Sequence, residues 1–178
     1  MCSTHLQFLL VSGFPRVPLE SFSDLEKREF EGGNVNEAFR RLSDQMACLF
    51  AHQDPRSAQI RQASRLFVQG VTSHDYGYAI SLFFLALEAL LLSDAKADVQ
   101  ARLTEAIVYS VGRSASGRDG LRKEIKRLYN IRSRFIHTGE VDTSWEDAGR
   151  CRDITQEVIR KEIKDFHDET PWPSSDSD

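Results

Sequence analysis

Residues 76–92 carry apolar side chains almost all round a helical circumference, and that one segment constrains the fold more than any other. Tyr76, Ile80, Phe83, Phe84, Leu87 and Leu91 recur at helical spacing, and most positions between them are apolar as well. A helix without a polar face has to be enclosed by others. The sequence therefore predicts a central, buried helix over residues 75–92, opened by the capping chemistry of Ser73-His74-Asp75. Amphipathic segments stand on either side to enclose it. Val35, Phe39, Leu42, Met46 and Leu49 mark a first helix that should end near Asp54-Pro55. Pro55 suits the first turn of a second, with Ile60, Ala63, Phe67 and Val71 inward. Val99, Leu103, Ile107 and Val111 give another over residues 97–111. The glycines and serines of residues 112–120 read as a flexible exposed loop. A helix from Leu121 should stop at Gly139, and Thr143 with Glu146 reads as a capping box for a last helix burying Trp145, Ile154, Val158 and Phe166.

The expected fold is all-α, a compact bundle of about five to six helices over residues 34–169. Residues 1–33 read as an irregular arm or short strand, because Gly13, Pro15 and Pro18 break the pattern and Gly32-Gly33 closes it. Residues 170–178 read as a disordered tail. A chain of 178 residues suffices for one such core, and 40% hydrophobic with 28% charged residues is the composition of a soluble globular protein. No apolar run is long enough for a membrane span, and the short run at Phe8 lacks a preceding basic residue, so a cytoplasmic protein with no membrane partner is expected. Three scattered cysteines suggest reduced thiols, neither disulfides nor a metal site, and no cofactor-binding motif is present.

Two charges interrupt the apolar stripes. Arg132 fills a core position of the helix that carries Leu121, Ile125, Leu128 and Phe135, flanked by Leu128, Tyr129, Phe135 and Ile136. Glu88 does the same in the central helix, among Phe84, Leu85, Leu91 and Leu92. Each costs several kcal/mol to bury alone, so an ion pair between them is expected, orienting the guanidinium while leaving some donors free. Exposure of Glu88 at a groove rim or a protomer interface is the alternative. His137 then lies in the last turn before Gly139, where the helix dipole favours positive charge.

The stretch Tyr129-Asn-Ile-Arg-Ser-Arg-Phe-Ile-His137-Thr-Gly resembles the arginine-x4-histidine motif of HEPN domains, closest to the ApeA-like branch associated with abortive infection and phage defence. Residues 81–92, SLFFLALEALLL, are similar to the Ala-Leu-Glu helix that precedes the motif in that branch. The resemblance spans roughly residues 35–168. It implies a metal-independent endoribonuclease whose motif helices pair across a homodimer, with Arg132 and His137 catalytic and Ser133, Glu88 and Tyr129 in support. It also implies a defence or toxin role and an antitoxin or defence-system partner. Ser133 stands where the family more often has asparagine or aspartate. In some HEPN toxins a tyrosine just after the histidine is a point of control; here Thr138, Gly139 and Glu140 follow.

The residues support the same chemistry on their own terms. Within a chain of net charge −4, residues 113–134 are rich in arginine and lysine. Arg122, Lys126, Tyr129, Ser133 and His137 fall along one line of the helix, and with Arg127 and Arg134 they make a candidate RNA-binding face. RNA brings its own nucleophile, the 2′-hydroxyl. A histidine that moves protons and an arginine that stabilises phosphoryl charge would suffice for cleavage without a metal. Residues five apart point about 140° from each other, so two copies related by a two-fold axis would converge better than one. The alternative is a non-catalytic module that binds RNA or nucleotide, or dimerises to couple a sensor to an effector.

Overall fold

In the computed structural model, residues 35–92, 98–140 and 142–170 are described, and they form six α-helices with no strand among them. These are α1 (Val35–Ala51), α2 (Pro55–Val71), α3 (Tyr76–Leu91), α4 (Val99–Val111), α5 (Ala115–Thr138) and α6 (Trp145–Glu169). The chain divides into two compact units, Met1–Ser43 and Asp44–Asp178. Of the first, only the opening turns of α1 are described, so the expected arm over residues 1–33 lies outside the described residues. The expected tail does too, from residue 171. All that follows concerns the second unit.

The helix without a polar face is the one the others enclose. α3 touches α2, α4, α5 and α6, and its Ala79, Ile80, Phe83, Phe84 and Leu87 lie at the centre of the main core. Leu103, Ile107 and Val108 of α4 close on it, with Ile125, Leu128 and Ile131 of α5 and Cys151, Ile154 and Val158 of α6. Each fully buried Phe or Leu contributes roughly 1.5–3 kcal/mol through area removed from water. A second cluster joins Cys48 and Leu49 of α1 to Ile60 of α2 and Ile159, Ile163 and Phe166 of α6. The 25 residues of α6 are long enough to serve both clusters.

Local chemistry sets the helix ends. Asp54 caps α2 by accepting from the backbone N–H groups of Arg56 and Ser57, with Pro55 in the first turn. The Arg61 guanidinium donates back to the carbonyls of Leu49 at 2.7 Å and His52 at 2.8 Å, satisfying the end of α1. Asp75 caps α3, and Gly139 stops α5 with φ of 76°, a left-handed conformation that suits glycine. Both buried cysteines of the described region are free thiols, and burial pushes each thiol pKa up, which suits packing and not nucleophilic chemistry.

Three expectations are corrected. Only residues 112–114 lie outside helix in the stretch read as a loop. Ser114 caps α5 by accepting from the Gly117 N–H, and Arg118 donates to the Gly112 carbonyl at 3.0 Å, so local bonds offset the helix cost of Gly117 and Gly120. The capping box of α6 is Ser144 with Asp147, one residue later than Thr143 with Glu146. Trp145, expected in the core, is 66% exposed in the first turn of α6.

Gly77 of α3 packs against Phe135 of α5, and an added Cβ there would lie 2.5 Å from the ring. Gly77→Ala should destabilise by about 1–3 kcal/mol through overpacking. Gly149→Ala, where an added Cβ meets nothing within 4 Å, should be neutral or stabilising by up to about 1 kcal/mol. Urea unfolding of both variants checks the contrast, and equal effects would mean that the contact is slack.

Candidate functional site

The two charges that interrupt the apolar stripes meet. Arg132 Nη2 on α5 lies 3.4 Å from Glu88 Oε1 on α3, with the side chains 17% and 21% exposed. The contact is electrostatic more than a closed hydrogen-bond set, because Glu88 Oε1 and Arg132 Nε are both buried without a hydrogen-bond partner. Burial raises the Glu88 pKa, and the attraction of Arg132 offsets only part of that. The guanidinium also stacks over the Tyr129 ring at 5.3 Å, and that ring meets Phe84 edge-on, again at 5.3 Å. Arg132 is thus held by a carboxylate on one side and an aromatic on another, with donors to spare.

This arrangement bears on Tyr129, expected both in support of the site and along the basic track. Its ring is half-buried between Phe84 and Arg132, so it orients the arginine and is not a free aromatic in a basic track. The track is also less positive than the sequence suggested. Arg122 donates to both carboxylate oxygens of Glu105, at 2.7 and 2.9 Å, and to Asp119 at 2.8 Å. Arg127 pairs with Glu124 at 3.0 Å and Asp147 at 2.6 Å. Sequence spacing could have suggested Asp119 and Glu124, each three residues from its arginine, but not Glu105 or Asp147 on other helices. Lys126 and Arg134 remain exposed, and so does His137.

Arg132 and His137 do not come together within one chain. Arg132 turns toward α3, whereas His137 is exposed in the last turn of α5. His137 shares its side of α5 with Asn130, Ser133 and Arg134, which precede it by seven, four and three residues. Those three line a cleft of about 630 Å³ that reaches the opening of α6. Arg127, Ile131 and Asp147 line it as well, with Asp142 on the segment between the helices. Burial alone would raise the Asp147 carboxyl, but hydrogen bonds from Arg127 and the Ser144 backbone hold it below the usual range. Asn130 and Asp142 were not foreseen. Asn130 is legible as a helical neighbour of Arg134, whereas no spacing announces Asp142 on the connecting segment.

The raised pKa of Glu88 gives the pair a measurable signature. Its stabilising contribution is fully present below the unfolded value of about 4.5 and is lost as pH rises through the folded value. Relative to wild type, Glu88→Gln should be nearly neutral at low pH and gain stability toward neutrality. Unfolding titrations from pH 4 to 7.5 test this, and a variant that loses ground as pH rises would show that Arg132 outweighs desolvation. Among the described residues no group of histidine, cysteine or carboxylate side chains is arranged to hold a metal ion, and no helix is long and apolar enough to cross a membrane. Compared with known proteins, the chain matches no family model, no curated protein and no solved structure.

Proposed function

We propose that this protein is a metal-independent endoribonuclease of HEPN type, acting as a homodimer through α5. The observation that carries the reading is the under-satisfied guanidinium of Arg132, buried at Nε without an acceptor and oriented by Glu88 and Tyr129. Because the ion pair with Glu88 closes no hydrogen bond and the side chain keeps 17% exposure, the outer part of the guanidinium can still turn a donor to an incoming phosphoryl group. Exposed Leu85 on α3 and Ile136 on α5 lie three and four residues from Glu88 and Arg132, and they offer a second copy an apolar border round the pair. Docking there would bring two copies of Arg132 and His137 to one cleft, which a single α5 cannot do.

In the proposed step, His137 as base removes the proton of a 2′-hydroxyl. The 2′-oxygen then bonds to the adjacent phosphorus while the bond from phosphorus to the 5′-oxygen breaks. The partner copy's protonated histidine supplies the proton that the leaving oxygen takes up, and Arg132 stabilises the charge that builds on the non-bridging oxygens. The products are a 2′,3′-cyclic phosphate and a 5′-hydroxyl. Ser133 borders the site as a polar neighbour, and exposed Lys126 is a contact for the RNA backbone. The defence or toxin setting, with a restraining partner, follows from the family resemblance.

Wild-type protein should cleave mixed-sequence single-stranded RNA in EDTA and leave an otherwise identical DNA intact. His137→Ala should lower the rate by about a hundredfold to ten-thousandfold with its melting temperature unchanged, since the residue is exposed. Wild-type and variant proteins that bind RNA equally and cleave none would instead identify a binding or coupling module. Arg132→Ala should abolish cleavage and also cost about 2 kcal/mol of stability by stranding Glu88, which a parallel thermal melt resolves.

A further inference from the structure

The cleft beside α5 contains two opposite charges that the protein leaves unbridged. Arg127 and Asp147 on its lining neutralise each other, and Ile131 beside them is a buried core residue. Asn130, Ser133, Arg134 and Asp142 line the remainder, and their side chains make no hydrogen bond or ion pair with another described residue. Arg134 and Asp142 share the cleft without closing on each other within ion-pair distance. An unbridged cation and carboxylate in one cleft complement a ligand that is anionic at one end and rich in donors at the other. The cleft's volume, about 630 Å³, lies within the range typical of small-molecule sites.

We propose that this cleft is a guanine nucleotide subsite for single-stranded RNA. Arg134 takes the phosphate. Asp142 accepts from the N1–H and N2–H₂ donors of the guanine Watson–Crick edge, which are adjacent donors that one carboxylate can engage together. Adenine, cytosine and uracil do not offer that pair. Asn130 and Ser133 supply an amide and a hydroxyl between the two ends. The choice of a nucleotide over another ligand with an anion and donors rests on the ribonuclease reading above. A phosphate on Arg134 sits one helical turn before His137, so the bound guanosine is a neighbour of the scissile linkage.

The test is direct binding to the full-length protein, independent of cleavage. Isotope-labelled protein is titrated with the four ribonucleoside 5′-monophosphates while the Asn130 side-chain amide resonances are followed. Guanosine monophosphate should shift them saturably, with adenosine monophosphate weaker by about tenfold or more, the discrimination of one bidentate contact. Asp142→Asn should bring the two nucleotides to within about twofold, since a single carboxamide oxygen cannot accept as the carboxylate does. Arg134→Gln should weaken all four and leave the preference for guanosine intact. Both residues are exposed, so neither change threatens the fold. Equal binding of all four nucleotides, binding of none, or a preference that survives Asp142→Asn would overturn the proposal. If RNA is cleaved but guanosine monophosphate does not bind, the subsite falls and the catalytic reading stands. Binding with that preference in a protein that cleaves no RNA leaves the subsite and removes the catalysis.

Discussion

The structure depends on one constraint: α3 has almost no side that tolerates water. A helix of this kind cannot lie on a surface, so four other helices must supply the enclosure, and their amphipathic stripes are what the rest of the chain provides. The consequence reaches the site directly. A carboxylate on such a helix has few places to be, and Glu88 emerges where α5 brings a cation, Arg132, to meet it. The pair is therefore a by-product of the fold's main requirement, placed by hydrophobic burial and not by its own strength. Desolvation outweighs the attraction at Glu88, so the interaction orients Arg132 more than it stabilises the bundle.

Much of this was legible in the sequence. Six helical segments follow from apolar period and punctuation, and the meeting of Glu88 with Arg132 follows from two charges at positions that period assigns to the core. Legibility failed where several residues could do the same job. Thr143 and Ser144 are both competent caps, and Glu146 and Asp147 both suit the third position, so a one-residue ambiguity was built into that segment. Trp145 stands in line with Ala148 and Cys151, but periodicity reports which side a residue faces and not how far the neighbouring helices reach.

The site was legible for a different set of residues. Arg132 announces itself because it violates the apolar pattern. Arg122 and Arg127 looked available because a helix projection shows only neighbours on the same helix, whereas Glu105 and Asp147 arrive from α4 and α6. The stretch from Gly112 to Gly120 failed for a related reason. Glycine and serine carry a local cost in a helix of about 1 kcal/mol or less each, and a long helix anchored by Ile125, Leu128 and Ile131 absorbs it.

Asp147 has a mechanical consequence. One of its oxygens holds Arg127 in the middle of α5, and the other accepts from the Ser144 backbone at the start of α6. The same carboxylate is therefore a rivet between one wall of the cleft and the helix that begins on the other. Widening the cleft by a hinge motion between the helices would break the cap and the ion pair together. Two contacts on one residue would have to be given up at once for α5 and the start of α6 to part.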